Sequence, residues 1–217
     1  LGALPEGRGQ KYGRLRLATA KRVAIPWALP DTISFRRAKG APLYPKHLYL
    51  EEDGQFRAEL GTWEVEVLQA ELANPQVVGW LRNQDRKPWS LEVPYQHGGG
   101  GGPLCPPPGL VGQGGGEAGD RGATPEAPAG SRVELLETHD PSLGDTVGKA
   151  VGLARFAEQH GHLFDRIQLI RKLPSPAGGE TYFRLEINKQ AVQKKLLEVT
   201  TGPQLDALFE SDVVIGA

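Results

Sequence analysis

The sequence predicts an α/β fold in which a mixed central sheet is flanked by helices. Residues 131–138 alternate apolar and acidic side chains, which is typical of a strand, and residues 143–157 then repeat apolar side chains at helical spacing. Residues 62–72 show a second helical pattern. Two later runs, residues 165–172 and 181–187, are separated by a Pro- and Gly-containing turn and predict antiparallel strands.

The amino-terminal region predicts a basic, β-rich arm over residues 1–45, ahead of an α/β domain over residues 46–217. Short strand patterns in the arm are interrupted by prolines, which excludes a long central strand. Residues 1–50 carry a net charge of +8 and residues 51–217 a net charge of −9. Four arginines are candidates for contacts with nucleic acid phosphates: Arg14, Arg16, Arg36 and Arg37. A solvated surface arm is the alternative.

The segment after the arm predicts one helix and a strand hairpin. We expect the helix over residues 62–72, with Thr62 as its N-cap and Asn74-Pro75 beyond its end. Glu64 falls in the first turn, where a negative charge is favourable for electrostatic reasons alone. Residues 76–82 and 89–95 are apolar runs on either side of a charged turn, and we expect them to pair with each other.

Residues 98–130 interrupt this pattern. They contain 13 glycines and 6 prolines in 33 residues. Such a composition buries too little apolar surface to offset the entropy lost on ordering, so we expect a disordered insertion and no central strand. Beyond the predicted strand pair, two helices are expected over residues 191–199 and 204–210.

A polar cluster is predicted where the strand 131–138 meets the following helix. Glu137 and His139 lie at the strand end, and Asp145 and Lys149 follow in the helix. Open α/β sheets place ligand sites at the carboxyl ends of their strands. The alternative is structural: Asp145 and Lys149 have the i, i+4 spacing of an exposed ion pair, and His139 could simply belong to a turn.

Five segments resemble the C-terminal region of type III restriction enzyme Res-subunit proteins, which are DEAD/DEAH-type helicases. The resemblance spans residues 42–208. The segments are Leu-Tyr-Pro-Lys-His-Leu-Tyr (43–49), Thr-Trp-Glu-Val-Glu-Val-Leu (62–68), Val-Val-Gly-Trp-Leu-Arg-Asn (77–83), Leu-Leu-Glu-Thr-His-Asp-Pro (135–141) and Lys-Ala-Val-Gly-Leu-Ala-Arg-Phe-Ala-Glu (149–158). The resemblance implies a restriction-endonuclease-like fold of the PD-(D/E)xK nuclease type.

The same resemblance implies a site for Mg²⁺-dependent hydrolysis of DNA. Glu64 and Glu137 would bind the metal, His139 would replace the motif lysine, and Lys149 would supply the missing positive charge. Pro107 stands where the family has a metal-binding aspartate. We therefore expect weak or no endodeoxyribonuclease activity. The alternatives are a catalytically inactive DNA-binding or structural domain that supports a helicase, and a fragment without independent function.

Partners and location follow from the resemblance and from composition. The expected partners are DNA, an N-terminal helicase motor of the same protein and a methyltransferase subunit. The chain has no methionine, which predicts a fragment of a longer protein. The single cysteine excludes an internal disulfide, and no apolar run predicts a membrane span, so a cytoplasmic setting is expected. Residues 98–130 are either compensating frameshifts or a genuine insertion.

Overall fold

The computed structural model covers the chain in ten segments. They are residues 7–8, 10–11, 29–35, 40–51, 54–84, 87–97, 100–104, 109–113, 131–175 and 177–216. The four arginines predicted to bind nucleic acid lie outside these segments, so their role stays a prediction. The proposed division at residue 45 likewise stays a prediction.

The described residues form strands, four α-helices and one 3-10 helix. The strands are β1 (Gly7–Arg8), β2 (Gln10–Lys11), β3 (Ser34–Phe35), β4 (Leu43–Tyr44), β5 (Tyr49–Leu50), β6 (Phe56–Arg57), β7 (Val77–Leu81), β8 (Val93–His97), β9 (Gly100–Leu104), β10 (Gly109–Gln113), β11 (Ser131–Thr138), β12 (Arg166–Pro174), β13 (Glu180–Glu186) and β14 (Val214–Gly216). The helices are α1 (Thr62–Leu72), α2 (Thr146–His160), α3 (Gln190–Leu197) and α4 (Gly202–Ser211), with the 3-10 turn Gly161–Leu163 after α2. The predicted mixed α/β fold is confirmed.

A mixed sheet of six strands organises the molecule, in the order β14-β13-β12-β11-β10-β7. Strands β11 and β12 are parallel, and every other neighbouring pair in this sheet is antiparallel. The parallel pair is joined by α2, because parallel neighbours need a crossover connection. This crossover sets the carboxyl end of β11 beside the first turn of α2.

The two faces of the sheet are covered by separate hydrophobic clusters. On β11, Leu135 belongs to the cluster that includes α2, α3 and α4, and Leu136 belongs to the cluster that includes α1 and β4 to β6. Neighbouring residues of a strand point to opposite faces, which is why Leu135 and Leu136 pack into different layers. Glu137 and His139 share the parity of Leu135. Both side chains therefore lie on the face of the sheet that α2 covers, after the last apolar residue of β11 on that face.

Helix α1 has the predicted bounds but a different N-cap. Its N-cap is Gly61, not Thr62, and the Gly61 N–H donates to Glu64 Oε2 at 2.7 Å. The carboxylate of Glu64 thus satisfies an amide at the start of its own helix. Helix α1 buries Val67, Leu68 and Glu71, so its buried face carries a charged residue at the last turn.

The expectation that no part of residues 98–130 enters the sheet was wrong. Strand β10 pairs with β11 along all five of its residues and with β7 on its other side. The hydrogen bonds between strands are made by the backbone and do not depend on side chains. The prediction used the composition of the whole 33-residue stretch, in which the apolar pair Leu110-Val111 has little weight. Residues 105–108 and 114–130 lie outside the described segments.

The predicted hairpin of residues 76–82 and 89–95 was also wrong. Strand β7 pairs with β10, and β8 pairs with β9 in a separate two-stranded sheet. Strand β8 packs against α2. Among the residues that the structure describes, no helix combines the length and apolar character required to cross a membrane.

Candidate functional site

Four elements bring charged side chains together at the carboxyl end of β11. We call this group the Glu137 cluster, which consists of Glu64, Arg82, Glu137, His139, Asp145 and Lys149. Strand β11 supplies Glu137 and leads into His139, and α2 supplies Lys149 with Asp145 at its N-cap. Glu64 comes from α1 and Arg82 follows β7. The four residues predicted as catalytic or metal-binding all belong to this cluster: Glu64, Glu137, His139 and Lys149. Glu64 and Lys149 act on Glu137 through their charges, without a direct contact in the described chain.

Glu137 is the most deeply buried acid of the cluster. It is only 3% exposed, and its Oε2 has no hydrogen-bond partner among the residues described. Burial raises the pKa of this carboxyl to about 8, opposed by the positive charge of Lys149 and reinforced by the negative charge of Glu64. Glu137 therefore carries a proton at neutral pH.

His139 lies beside Glu137 as a neutral imidazole. It is 2% exposed, and burial, followed by the charge of Lys149, lowers its pKa to about 4. Its Nε2 is 2.9 Å from Thr146 Oγ1, and the Thr146 hydroxyl donates to the Leu143 carbonyl. Because that hydroxyl proton is already used, Nε2 is the protonated nitrogen. Nδ1, which then carries the lone pair, lies 4.0 Å from Glu137 Oε1.

Asp145 connects His139 with Lys149. Its Oδ2 is 3.1 Å from Lys149 Nζ, and its Oδ1 is 3.5 Å from His139 Nε2. Burial acts to raise the pKa of Asp145, but the hydrogen bond and charge of Lys149 outweigh it and the pKa lies below its usual range. The Lys149 and Asp145 side chains are only 17% and 21% exposed. They therefore form a partly buried pair, in contrast to the exposed i, i+4 pair considered from the sequence.

Glu64 and Arg82 form the other flank of the cluster. Arg82 Nη1 donates to Glu64 Oε1, and Glu64 Oε2 already accepts the Gly61 N–H. The Arg82 backbone N–H donates to Nε2 of His47 at 3.1 Å. His47 in turn stacks on Phe56 with ring centroids 3.6 Å apart. The position of Arg82 is thus fixed through the backbone by the aromatic core.

The expected Mg²⁺ ligands offer few free oxygens. Both Glu64 oxygens have donors, so Glu137 Oε2 is the one oxygen of the two predicted ligands without a partner in the described chain. Within those described segments, no three His, Cys, Asp or Glu side chains are arranged to hold a metal ion. Mg²⁺ binding stays a prediction.

Three contributors were missed by the sequence analysis: Arg82, Thr146 and Tyr95. Thr146 fixes the tautomer of His139, and the Tyr95 hydroxyl lies 3.2 Å from Asp145 Oδ2. A Thr seven residues after a His could have been noticed as a local partner across the strand-to-helix turn. Nothing local signals Tyr95, which is 50 residues from Asp145 in sequence.

A protonated carboxyl beside a neutral imidazole can give and take protons near neutral pH. Lys149 and Arg82, with side chains 17% and 27% exposed, are the parts of the cluster that reach solvent as hydrogen-bond donors. Cationic N–H donors stabilise negative charge that develops on a reacting oxygen. The cluster thus combines two buried groups that can exchange protons with two partly exposed cations.

Comparison with known proteins gives one curated relative. Protein YagJ of Escherichia coli (strain K12) is 26% identical over 171 residues, which cover 78% of this chain and 62% of the relative. The chain therefore spans less than two thirds of that protein. No solved structure matches.

The sequence profile of the YagJ family matches residues 45–107 and 127–215. The unmatched residues 108–126 fall within the Gly- and Pro-rich stretch and include β10. Neither match points to a type III restriction enzyme or a helicase, so the resemblance stated from the sequence was wrong. The nuclease-fragment function, the helicase-supporting DNA-binding alternative and the restriction-modification assignment are withdrawn with it. The matched segments contain every residue of the Glu137 cluster, and the chain belongs to the YagJ family.

Proposed function

We propose that the Glu137 cluster is an acid–base active site that hydrolyses an ester-like substrate. The observation that carries this proposal is the buried Glu137 carboxyl, which has a free oxygen and lies 4.0 Å from the unprotonated nitrogen of His139. A carboxyl buried without a direct cation partner costs stability. Such groups concentrate at functional sites.

Proton transfer is the chemistry that this pair supports best. General acids and bases work most efficiently when their pKa lies near the working pH. The Glu137 pKa of about 8 meets that condition for an acid, and neutral His139 can accept a proton. In this proposal Glu137 donates a proton to the leaving group, and His139 takes one from the attacking water.

Lys149 and Arg82 are proposed to bind the oxygen on which negative charge develops. A substrate would first meet their side chains, because these two cations are partly exposed whereas Glu137 and His139 are buried. Each cation is already held by a carboxylate, Asp145 or Glu64. They are therefore pre-oriented before a substrate arrives.

The sheet is further proposed to be of the restriction-endonuclease-like type. Support comes from the mixed sheet with helices on both faces, and from the order in which α1, β7, β10, β11, α2 and β12 follow along the chain. A fold of this kind does not fix the reaction. An experimental structure compared with that fold class would test the assignment.

The test of the function is hydrolysis of a simple alkyl ester by the chain and two variants. We expect turnover of ethyl acetate above the buffer rate, followed as acid released at constant pH, because its ethoxide leaving group needs the proton that Glu137 would donate. Glu137→Gln and His139→Gln should each reduce it about 100-fold or more, the range for loss of a general acid or base. Glu158→Gln, on the exposed side of α2, is the control and should keep full activity. Turnover that survives Glu137→Gln would contradict the proposal.

The Mg²⁺ prediction can be tested in the same preparation. A cation must displace the Glu137 proton, so binding should be weak at pH 7 and tighter at pH 9. Calorimetric titration with MgCl₂ at both pH values, repeated with Glu137→Gln, measures this directly. Equal affinity in the wild-type chain and in the variant would exclude Glu137 as a ligand.

A further inference from the structure

Strand β8 approaches α2 so closely at Gly152 that no larger residue would fit there. A Cβ atom placed on Gly152 would lie 2.7 Å from Tyr95 Cβ and 2.8 Å from the Pro94 carbonyl oxygen. Neither atom belongs to the flexible end of a side chain, so the strand would have to move. Glycine at this position therefore lets β8 lie directly on α2. The contact sets the backbone position of Tyr95.

From that contact the Tyr95 side chain reaches the Glu137 cluster. Its hydroxyl lies 3.2 Å from Asp145 Oδ2, two helical turns before Gly152. Asp145 simultaneously contacts Lys149 Nζ and lies 3.5 Å from His139 Nε2. Tyr95 and Lys149 thus share Oδ2 of Asp145, while Oδ1 faces His139.

We propose that Tyr95 is a positioning residue, which holds Asp145 between His139 and Lys149, and that Gly152 is the contact that places it there. This inference rests on the proposed acid–base site, whose geometry it explains. Tyr95 contacts neither Glu137 nor His139 directly through a hydrogen bond in the described structure. Its effect passes through Asp145, whose negative charge acts on both.

The charged groups that act on Glu137 come from three elements. Lys149 and Asp145 belong to α2 and its N-cap, Glu64 to α1, and Arg82 to the end of β7. Without the Tyr95 hydroxyl, Asp145 can turn towards solvent, and its negative charge then acts less strongly on Glu137. Glu137 would lose its proton at a lower pH.

The experiment is a carboxyl ¹³C NMR titration of Glu137 in the whole chain, with Glu137→Gln used to assign the signal. Tyr95→Phe removes only the hydroxyl and should lower the midpoint, because Asp145 then acts less strongly on Glu137. Tyr182→Phe is the matched control, because the Tyr182 hydroxyl donates to Glu66 outside the cluster. It should leave the midpoint unchanged.

Gly152→Ala should shift the midpoint in the same direction by more, since it displaces the strand itself. If that variant does not fold, Tyr95→Phe alone decides. An unchanged midpoint in Tyr95→Phe, or an equal shift in Tyr182→Phe, overturns the positioning role. Ester turnover is measured separately. Loss of turnover in Glu137→Gln with no Tyr95→Phe shift rejects this inference alone, whereas a shift without any turnover rejects the proposed function alone.

Discussion

Two buried polar groups lie on the same strand of this molecule and have opposite character. The Glu137 cluster lies at the carboxyl end of β11. Nearer its amino end lies what we call the Glu71 cluster, which consists of Glu71, Glu134, Arg166, Gln168 and Arg184. Glu134 and Glu137 are three residues apart, so one strand contributes an acid to each group.

In the Glu71 cluster every acid has a cation in direct contact. Arg184 Nη1 donates to Glu71 Oε1 and, at 3.1 Å, to Gln168 Oε1. Arg166 Nη2 contacts Glu134, and lies 3.4 Å from Glu71 Oε2. These bonds connect α1 to β11, β12 and β13. The cluster therefore joins the helix to the sheet.

Glu137 has no such cation contact among the residues that the structure describes. Glu71 is 7% exposed and Glu137 is 3% exposed, so depth of burial does not separate them. The difference is that Arg184 compensates Glu71 directly, whereas Lys149 acts on Glu137 without a hydrogen bond to it. Compensation is thus the feature that separates a stabilising buried acid from one held in an unfavourable state at a candidate site.

The largest expected effect is in the Glu71 cluster. Glu71→Gln leaves the Arg184 charge buried without its counter-ion, and removal of one partner from a buried pair costs about 3–5 kcal/mol of unfolding free energy. Urea denaturation measured by circular dichroism gives this value. Exposed Glu158→Gln should leave the midpoint unchanged. A loss under about 1 kcal/mol would show that the pair is not what holds α1 to the sheet.

The same substitution at Glu137 should have the opposite sign. The pKa of Glu137 is raised to about 8 from an ordinary 4.5, so between these values the unfolded chain releases a proton that the folded chain keeps, and folding loses stability as pH rises. Glu137→Gln removes this cost. It should stabilise the fold by up to about 3 kcal/mol at pH 7 and by little below pH 4.5. Destabilisation at pH 7 in the same urea assay would mean that Glu137 is compensated after all.

A smaller effect should appear in the pH dependence of the wild-type chain. His139 and His47 have pKa values lowered to about 4 and about 3 by burial, so below pH 6.5 the unfolded chain binds protons that the folded chain does not. Stability therefore falls as pH drops below 6.5. Glu137 makes stability fall again between pH 6.5 and 8, by about 1.4 kcal/mol per pH unit.

The wild-type chain should therefore be most stable near pH 6.5. Thermal denaturation across pH 5 to 9 measures the profile. In Glu137→Gln the alkaline decline should disappear while the acidic decline remains. A profile that still declines between pH 6.5 and 8 in the variant would place the alkaline titration on another group.

Periodic patterns in the sequence predicted those parts of the site that lie on one continuous strand and helix. The strand that ends with Glu137 and His139 and the helix that carries Lys149 were both found from alternation and helical spacing, because these periodicities follow directly from strand and helix geometry. The bounds of α1 were predicted as observed. The convergence of Glu64 with Glu137 was expected only from the resemblance, yet the structure brings their charges close enough to interact.

What the sequence could not supply depends on distant pairing. Strand β10 is five residues with two large apolar side chains, and its place between β7 and β11 comes from backbone hydrogen bonds that composition does not report. The contact of Tyr95 with Asp145 depends on how β8 packs on α2. Gly152 permits this packing, but a glycine in the sequence does not predict it. The wrong family assignment rested on short segments, and short segments of strand and helix recur in unrelated proteins.

The contrast between Glu71 and Glu137 depends on whether Glu137 is protonated at neutral pH. Carboxyl ¹³C NMR on glutamate-labelled chain, with Glu137→Gln to identify the signal, follows this one group from pH 4 to pH 10. We expect a midpoint near 8, so that Glu137 holds its proton at pH 7. A midpoint near the ordinary value of 4.5 would show an ionised, compensated carboxylate and would contradict both the contrast with Glu71 and the proposed acid–base site.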